Sequence, residues 1–123
     1  MNELIVGNYI FIIRITKTSK IQIGKLGQLT FNEGIYAYIG SAMKGIKKRT
    51  ERHIRLLNTK NGKCRWHIDY LLVNPNATFV ELVEIPTEEK IECRLSRMFN
   101  IFAQPIIGFG SSDCKCLTHL YQL

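Results

Sequence analysis

Phe31 to His53 reads FNEGIYAYIGSAMKGIKKRTERH, and its division into a strand and a helix decides what the rest of the chain must supply. Ile35 to Ile39 is β-branched and aromatic. A period of two puts Tyr36 and Tyr38 on one face, with Ile35, Ala37 and Ile39 on the other. Gly40, Ser41 and Ala42 make a small-residue exit. From about Lys44 the spacing predicts a helix, with Ile46, Thr50, Ile54 and Leu57 toward the core and Arg49, His53 and Leu56 beside that stripe. Lys48, Arg52 and Arg55 form its outer face, and it ends within Asn58 to Gly62. A strand carrying phenols that leads into a helix carrying arginines is one way to build a phosphate-handling surface.

Upstream, Ile5 to Ile15 is apolar on both faces, which predicts an interior strand. Glu3 stands where a signal peptide needs positive charge and Arg14 interrupts the apolar run, so this segment is expected to be structure rather than leader. Ile21, Ile23, Leu26 and Leu29 around Gly24 and Gly27 predict a short hairpin. Downstream, Trp66 to Val73 is expected as a short helix stopped by Asn74-Pro75-Asn76, and Phe79 to Ile85 as an alternating strand with Glu81 and Val83 on one face. Pro86-Thr87-Glu88-Glu89 reads as a helix start capped by Thr87. That helix should bury Ile91, Leu95, Met98, Phe99 and Phe102. Gly108 to Asp113 reads as a loop, and Leu117 to Leu123 as a last strand.

The 123 residues suffice for one domain and are too few for two ordinary ones. Hydrophobic residues at 46% and charged residues at 22% give a globular composition with no disordered arm. The net charge of +7 favours a polyanionic partner. No stretch approaches the length a membrane span needs, so a soluble, cytoplasmic protein without membrane attachment is expected. In that compartment Cys64, Cys93, Cys114 and Cys116 are expected as thiols or metal ligands rather than disulfides.

Gly7-Asn8-Tyr9 on the first strand and Tyr38-Ile39-Gly40 on the later one, followed by Arg49 and His53, resemble the GIY-YIG nuclease superfamily. Glu92 matches the position of that superfamily's metal-binding glutamate. The glycines at 24 and 27, WHIDYLL from Trp66 and GFGSSDCKCLTHL from Gly108 look like one branch of it, a domain of unknown function found alone or fused to endonuclease III type glycosylases. Gly34-Ile35-Tyr36 also spells the first triplet, but one strand cannot lay a triplet beside the next one along it. Tyr9 is therefore the better first tyrosine. The hairpin between the triplets and the extra residue Gly45 before Arg49 depart from the superfamily's commonest register.

The resemblance implies an α+β fold with a small, mainly antiparallel central sheet flanked by helices. It further implies a metal-dependent endonuclease, a hydrolase of DNA phosphodiester bonds serving DNA repair or processing, with RNA as the alternative polymer. In that chemistry Glu92 would hold one Mg²⁺ or Mn²⁺, a hard cation that keeps most of its waters. Arg49 would neutralise charge at the phosphate. Tyr38 or Tyr9 would take the water's proton, and His53 would hydrogen-bond phosphate or a tyrosine. Lys44, Lys47, Lys48, Arg52 and Arg55 are the candidate DNA contacts.

Two other readings belong beside this one. A binding module would keep the basic surface without turnover, and an interaction domain would be built on zinc held by Cys114, Cys116 and His119 with Cys64 or Cys93. Trp66 to Tyr70 reads more as a core-seating helix than as a catalytic His67–Asp69 pair. One active site cuts one strand per event, which leaves the oligomeric state open.

Overall fold

Strand β1 (Gly7–Ile15) and strand β4 (Gly34–Ala42) pair antiparallel along their full lengths, placing Tyr9 opposite Gly40 and Phe11 opposite Tyr38. The two triplets thus lie on neighbouring strands and meet at one pair, Tyr9 with Gly40. The structure, a computed structural model, describes residues 4–111 and 116–123. Between β1 and β4 the chain makes β2 (Ser19–Ile23), a 3₁₀ turn (Gly24–Leu26) and β3 (Gly27–Phe31), a separate two-stranded sheet. That hairpin was expected from its alternating isoleucines.

The chain then forms α1 (Ile46–Thr59), α2 (His67–Leu72), β5 (Ala77–Pro86), α3 (Glu92–Phe99), β6 (Gln104–Pro105) and β7 (Leu120–Gln122). The main sheet runs β5-β1-β4-β7-β6, and its strand pairs are antiparallel. With three α-helices among the described residues the fold is α+β, as expected. No helix among them is long and apolar enough to cross a membrane.

Period two explains the packing. Tyr9, Phe11 and Ile13 share a face of β1, Tyr36 and Tyr38 share the matching face of β4, and all except Tyr38 are fully buried. Helix α1 covers this face, burying Ile46, Thr50, His53, Leu56 and Leu57, with His53 in ring contact with Tyr9, Phe11 and Tyr38. Lys60 closes α1 in a left-handed conformation (φ 57°). Its ammonium donates to the Leu72 and Ala77 carbonyls, tying the end of α1 to α2 and β5. The other face carries Ala37 and its partner Tyr121, whose hydroxyl donates to Ser96 O of α3 at 2.7 Å.

Three expectations are corrected. Helix α3 begins at Glu92 and not at Thr87, because Asn8, buried on β1, takes over its entry. Asn8 Nδ2 donates to Glu89 O (2.9 Å) and Asn8 Oδ1 accepts from Ile91 N (3.2 Å), while Thr87 Oγ1 accepts from Glu89 N in a local turn. The apolar stripe of α3 is not a core face either. Met98 and Phe102 are exposed, and within the helix only Ser96 is buried. Finally, β5 is an edge strand with a bulge opposite Ile12/Ile13, so its alternation is broken and Phe79, Val80 and Val83 are exposed together.

Candidate active site

A cleft of about 380 Å³ opens along Tyr38 to Ser41 of β4. Arg49 of α1 and the Arg65–Trp66–His67 entry to α2 form one side. Lys90 and Glu92 form the other, and Gly110 and His119 complete the lining. Of the five expected catalytic residues, Tyr38, Arg49 and Glu92 line this cleft, whereas Tyr9 and His53 lie beneath it, each 1% exposed.

Tyr9 and His53 are one unit. The phenol and His53 Nε2 are 2.7 Å apart, and His53 Nδ1 is buried with no partner among the described residues. Burial moves the His53 imidazole down to about 4, and Arg49 and Arg52 act in the same direction against the opposing Asp69 carboxylate. Burial, with Tyr38 alongside, pushes the Tyr9 phenol well above the usual tyrosine range, opposed by the Arg49 guanidinium. Both rings are therefore neutral at physiological pH. Gly40 belongs to the same unit, because a Cβ there would run into the Tyr9 ring. The second triplet ends in glycine so that the tyrosine of the first can lie across it.

Arg49 is held at the cleft by two contacts. Its Nη1 donates to Ser41 O at 3.4 Å, and its guanidinium lies over the Trp66 ring at 4.5 Å. The same indole is covered by Arg52 at 4.7 Å. Arg52, expected as a DNA contact, makes a bidentate pair with Asp69 (2.7 and 2.9 Å) and also donates to Lys63 O. The Asp69 carboxylate also accepts from the Arg65 and Trp66 amides. Burial alone would raise its carboxyl, but these donors prevail and hold it below the usual carboxylate range. Asp69 is thus the cap of α2 and the anchor of Arg52, in keeping with a core-seating role for this helix.

On the opposite side, Glu92 Oε2 is buried with no hydrogen-bond partner among the described residues, and the same holds for Ser41 Oγ. A buried carboxylate oxygen without a donor is costly, and oxygen is the atom a hard divalent cation takes. Glu92 is therefore the residue here that could hold such an ion. Among the expected DNA contacts, Lys44, Lys47, Lys48 and Arg55 are exposed on or beside α1, and none lines the cleft.

His67, Arg65 and Lys90 also line the cleft, although none is a site residue expected from the sequence pattern. His67 Nδ1 accepts from Gly110 N at 2.8 Å, which leaves the proton of the neutral ring on Nε2, and burial lowers its pKa. Arg65 and Lys90 give the two sides of the cleft a cation each. Only their place beside predicted helix starts could have marked them.

Of the expected zinc ligands, Cys116 and His119 come together, with Cys93 as the third member, their ligand atoms all within 4.8 Å of one another. Cys114 lies outside the described residues. Cys93 and Cys116 are joined as a disulfide, contrary to the expectation of thiols or metal ligands, because the start of α3 and the approach to β7 converge beside β4. Cys64 is the free cysteine among the described residues.

The chain belongs to the family described as domain of unknown function DUF123, whose model matches residues 8–123. No curated protein and no solved structure matches it.

Proposed function

We propose that this DUF123 member is a cytoplasmic endonuclease of the GIY-YIG type that hydrolyses DNA phosphodiester bonds with one Mg²⁺ or Mn²⁺ held by Glu92. One observation carries this reading: Tyr38 of β4 and Arg49 of α1, from one continuous stretch, and Glu92 from the distant start of α3 line one cleft. Its flanking cations, Arg65 and Lys90, suit a phosphodiester backbone.

The residues divide the work by position. Arg49, kept in place by Trp66 and Ser41, meets the scissile phosphate and neutralises the charge that grows on it. Tyr38 takes the proton of the attacking water, because it lines the cleft while Tyr9 is buried and its phenol is strongly held in the neutral form. Tyr9 and His53 support Tyr38 and Arg49 from below. A divalent ion at Glu92 would supply Lewis acidity to the phosphate and to the departing 3′ oxygen. His67 presents Nε2–H as a hydrogen-bond donor.

The test is cleavage of a panel of branched, nicked and damaged DNA by purified protein with Mg²⁺ or Mn²⁺. Arg49→Ala, Glu92→Gln and Tyr38→Phe should each lower the rate by about 10²–10³, with unchanged circular dichroism. Cutting that survives Glu92→Gln sinks the metal assignment. Binding that weakens steeply with salt, without cutting of any substrate, replaces the nuclease with a binding module on the exposed face of Lys44, Lys47, Lys48 and Arg55.

A further inference from the structure

We infer that Cys93, Cys116 and His119 form a zinc site when the two sulfurs are reduced. Its ligand set excludes the Glu92 carboxylate, and the inference stands independently of the nucleolytic reading.

Three separate segments deliver the ligands. Cys93 lies in the first turn of α3. Cys116 lies on the approach to β7, with its Cα 5.8 Å from that of Cys93. His119 is 5% exposed, and its backbone is fixed on both sides: its N–H donates to Phe109 O at 2.8 Å and its carbonyl accepts from Ile39 N at 2.9 Å. Its Nε2 stands 3.9 Å from Cys93 Sγ. A tetrahedral zinc with Zn–S of about 2.3 Å and Zn–N of about 2.0 Å separates such ligand atoms by roughly 3.5 Å. The histidine is thus preset at nearly the distance the ion requires. Two sulfurs and one imidazole nitrogen select zinc over the hard cations that suit Glu92.

Disulfide and zinc are mutually exclusive states of the same sulfurs. A phosphine reductant takes its oxygen from water and becomes the phosphine oxide, and the two electrons and two protons released convert the disulfide to two thiols. Zn²⁺ then displaces both thiol protons and forms two Zn–S bonds, with no change in oxidation state. Since His119 and Glu92 line the same cleft, the ion would fasten one of its walls.

The experiment uses the full chain, reduced with a phosphine under anaerobic conditions, loaded with Zn²⁺ or Co²⁺ and desalted. Expected are about one zinc per chain and a cobalt spectrum with tetrahedral d–d and thiolate charge-transfer bands. Cys64→Ser should leave both unchanged, whereas Cys93→Ser and His119→Ala should weaken zinc binding by roughly tenfold or more. The unreduced protein should take up none. Reduced wild-type protein that is folded by circular dichroism but takes up no zinc overturns the proposal, as does a cobalt spectrum without thiolate bands. If the variants fail to fold, the comparison of oxidised and reduced wild type decides, and equal uptake by both overturns it.

Discussion

Replacing Asp69 with asparagine tests the support beneath the cleft. The carboxylate accepts from Arg52 Nη1 at 2.7 Å, Arg52 Nη2 at 2.9 Å, Arg65 N at 2.8 Å and Trp66 N at 3.0 Å. An asparagine with its oxygen in the Oδ2 position keeps both amide bonds and the Nη2 bond. Its NH₂ then faces Arg52 Nη1, donor against donor, and the guanidinium loses its counter-charge. Breaking a buried pair from one side costs about 3–5 kcal/mol. Water reaches the Arg52 side chain, which is 21% exposed, so the cost falls to the bottom of that range or just below it, about 2–3 kcal/mol. For a chain of this length that is a fall in Tm of roughly 10 °C.

The pH profile separates this pair from His53. His53 has its folded value lowered to about 4 from an ordinary 6.5, so the unfolded chain binds more protons in that window. Its contribution is complete above 6.5 and is lost as pH falls toward 4, a change of roughly 3 kcal/mol. Asp69 also has a lowered folded value. Its contribution is present above the unfolded carboxylate value of about 3.9 and disappears as pH falls through the folded one. Urea denaturation at a series of pH values should show the His53 limb in both proteins, slightly steeper in Asp69→Asn because the carboxylate opposes the His53 shift. Below about pH 4 the two stabilities should converge. A variant within about 0.5 kcal/mol of wild type at pH 7, or a constant gap down through the acid limb, refutes the reasoning.

Two further substitutions probe how the cleft is assembled. Asn8→Ala removes both hydrogen bonds to the entry of α3 and should cost about 1–3 kcal/mol; amide hydrogen exchange should accelerate over residues 89–95 before it does in β1, and uniform acceleration would argue against a local role. Gly40→Ala forces the Tyr9 ring off β4 and should cost about 1–3 kcal/mol by denaturant titration, so wild-type stability would contradict the close approach described here.

The parts legible in sequence are those governed by local periodicity. Strands β1 and β4, the β2–β3 hairpin and the buried face of α1 follow from spacings of two and of three to four, since each element buries the side its own residues make apolar. The start of α3 is not legible in sequence because it depends on Asn8, more than eighty residues away and invisible to a local capping rule. The exposure of its apolar stripe is hidden for a related reason: amphipathic spacing shows which side of a helix is apolar, but not whether anything in the fold covers it. Arg52 looked like a surface cation because the sequence does not show that Asp69 will be buried beside it. The pairing of Cys93 with Cys116 likewise depends on the approach of α3 to the strand that β7 joins.

The triplet on β1 explains why residues important to the cleft need not line it. Each of its three residues does a different mechanical job. At Gly7 a Cβ would run into the Ile85 carbonyl and the Thr87 amide, so this glycine lets the end of β5 come close. Asn8 points to the other face and holds the segment that delivers Glu92. Tyr9 lies across Gly40 and reaches His53, which packs against Tyr38. Because neighbouring residues of a strand face opposite ways, β1 connects α1 on one side of the sheet with the approach to α3 on the other. Arg49 and Glu92 arrive on those two elements, and β1 is the member they share. Substitutions in the first triplet should therefore disturb the spacing between the arginine and the glutamate before they disturb either residue's own chemistry.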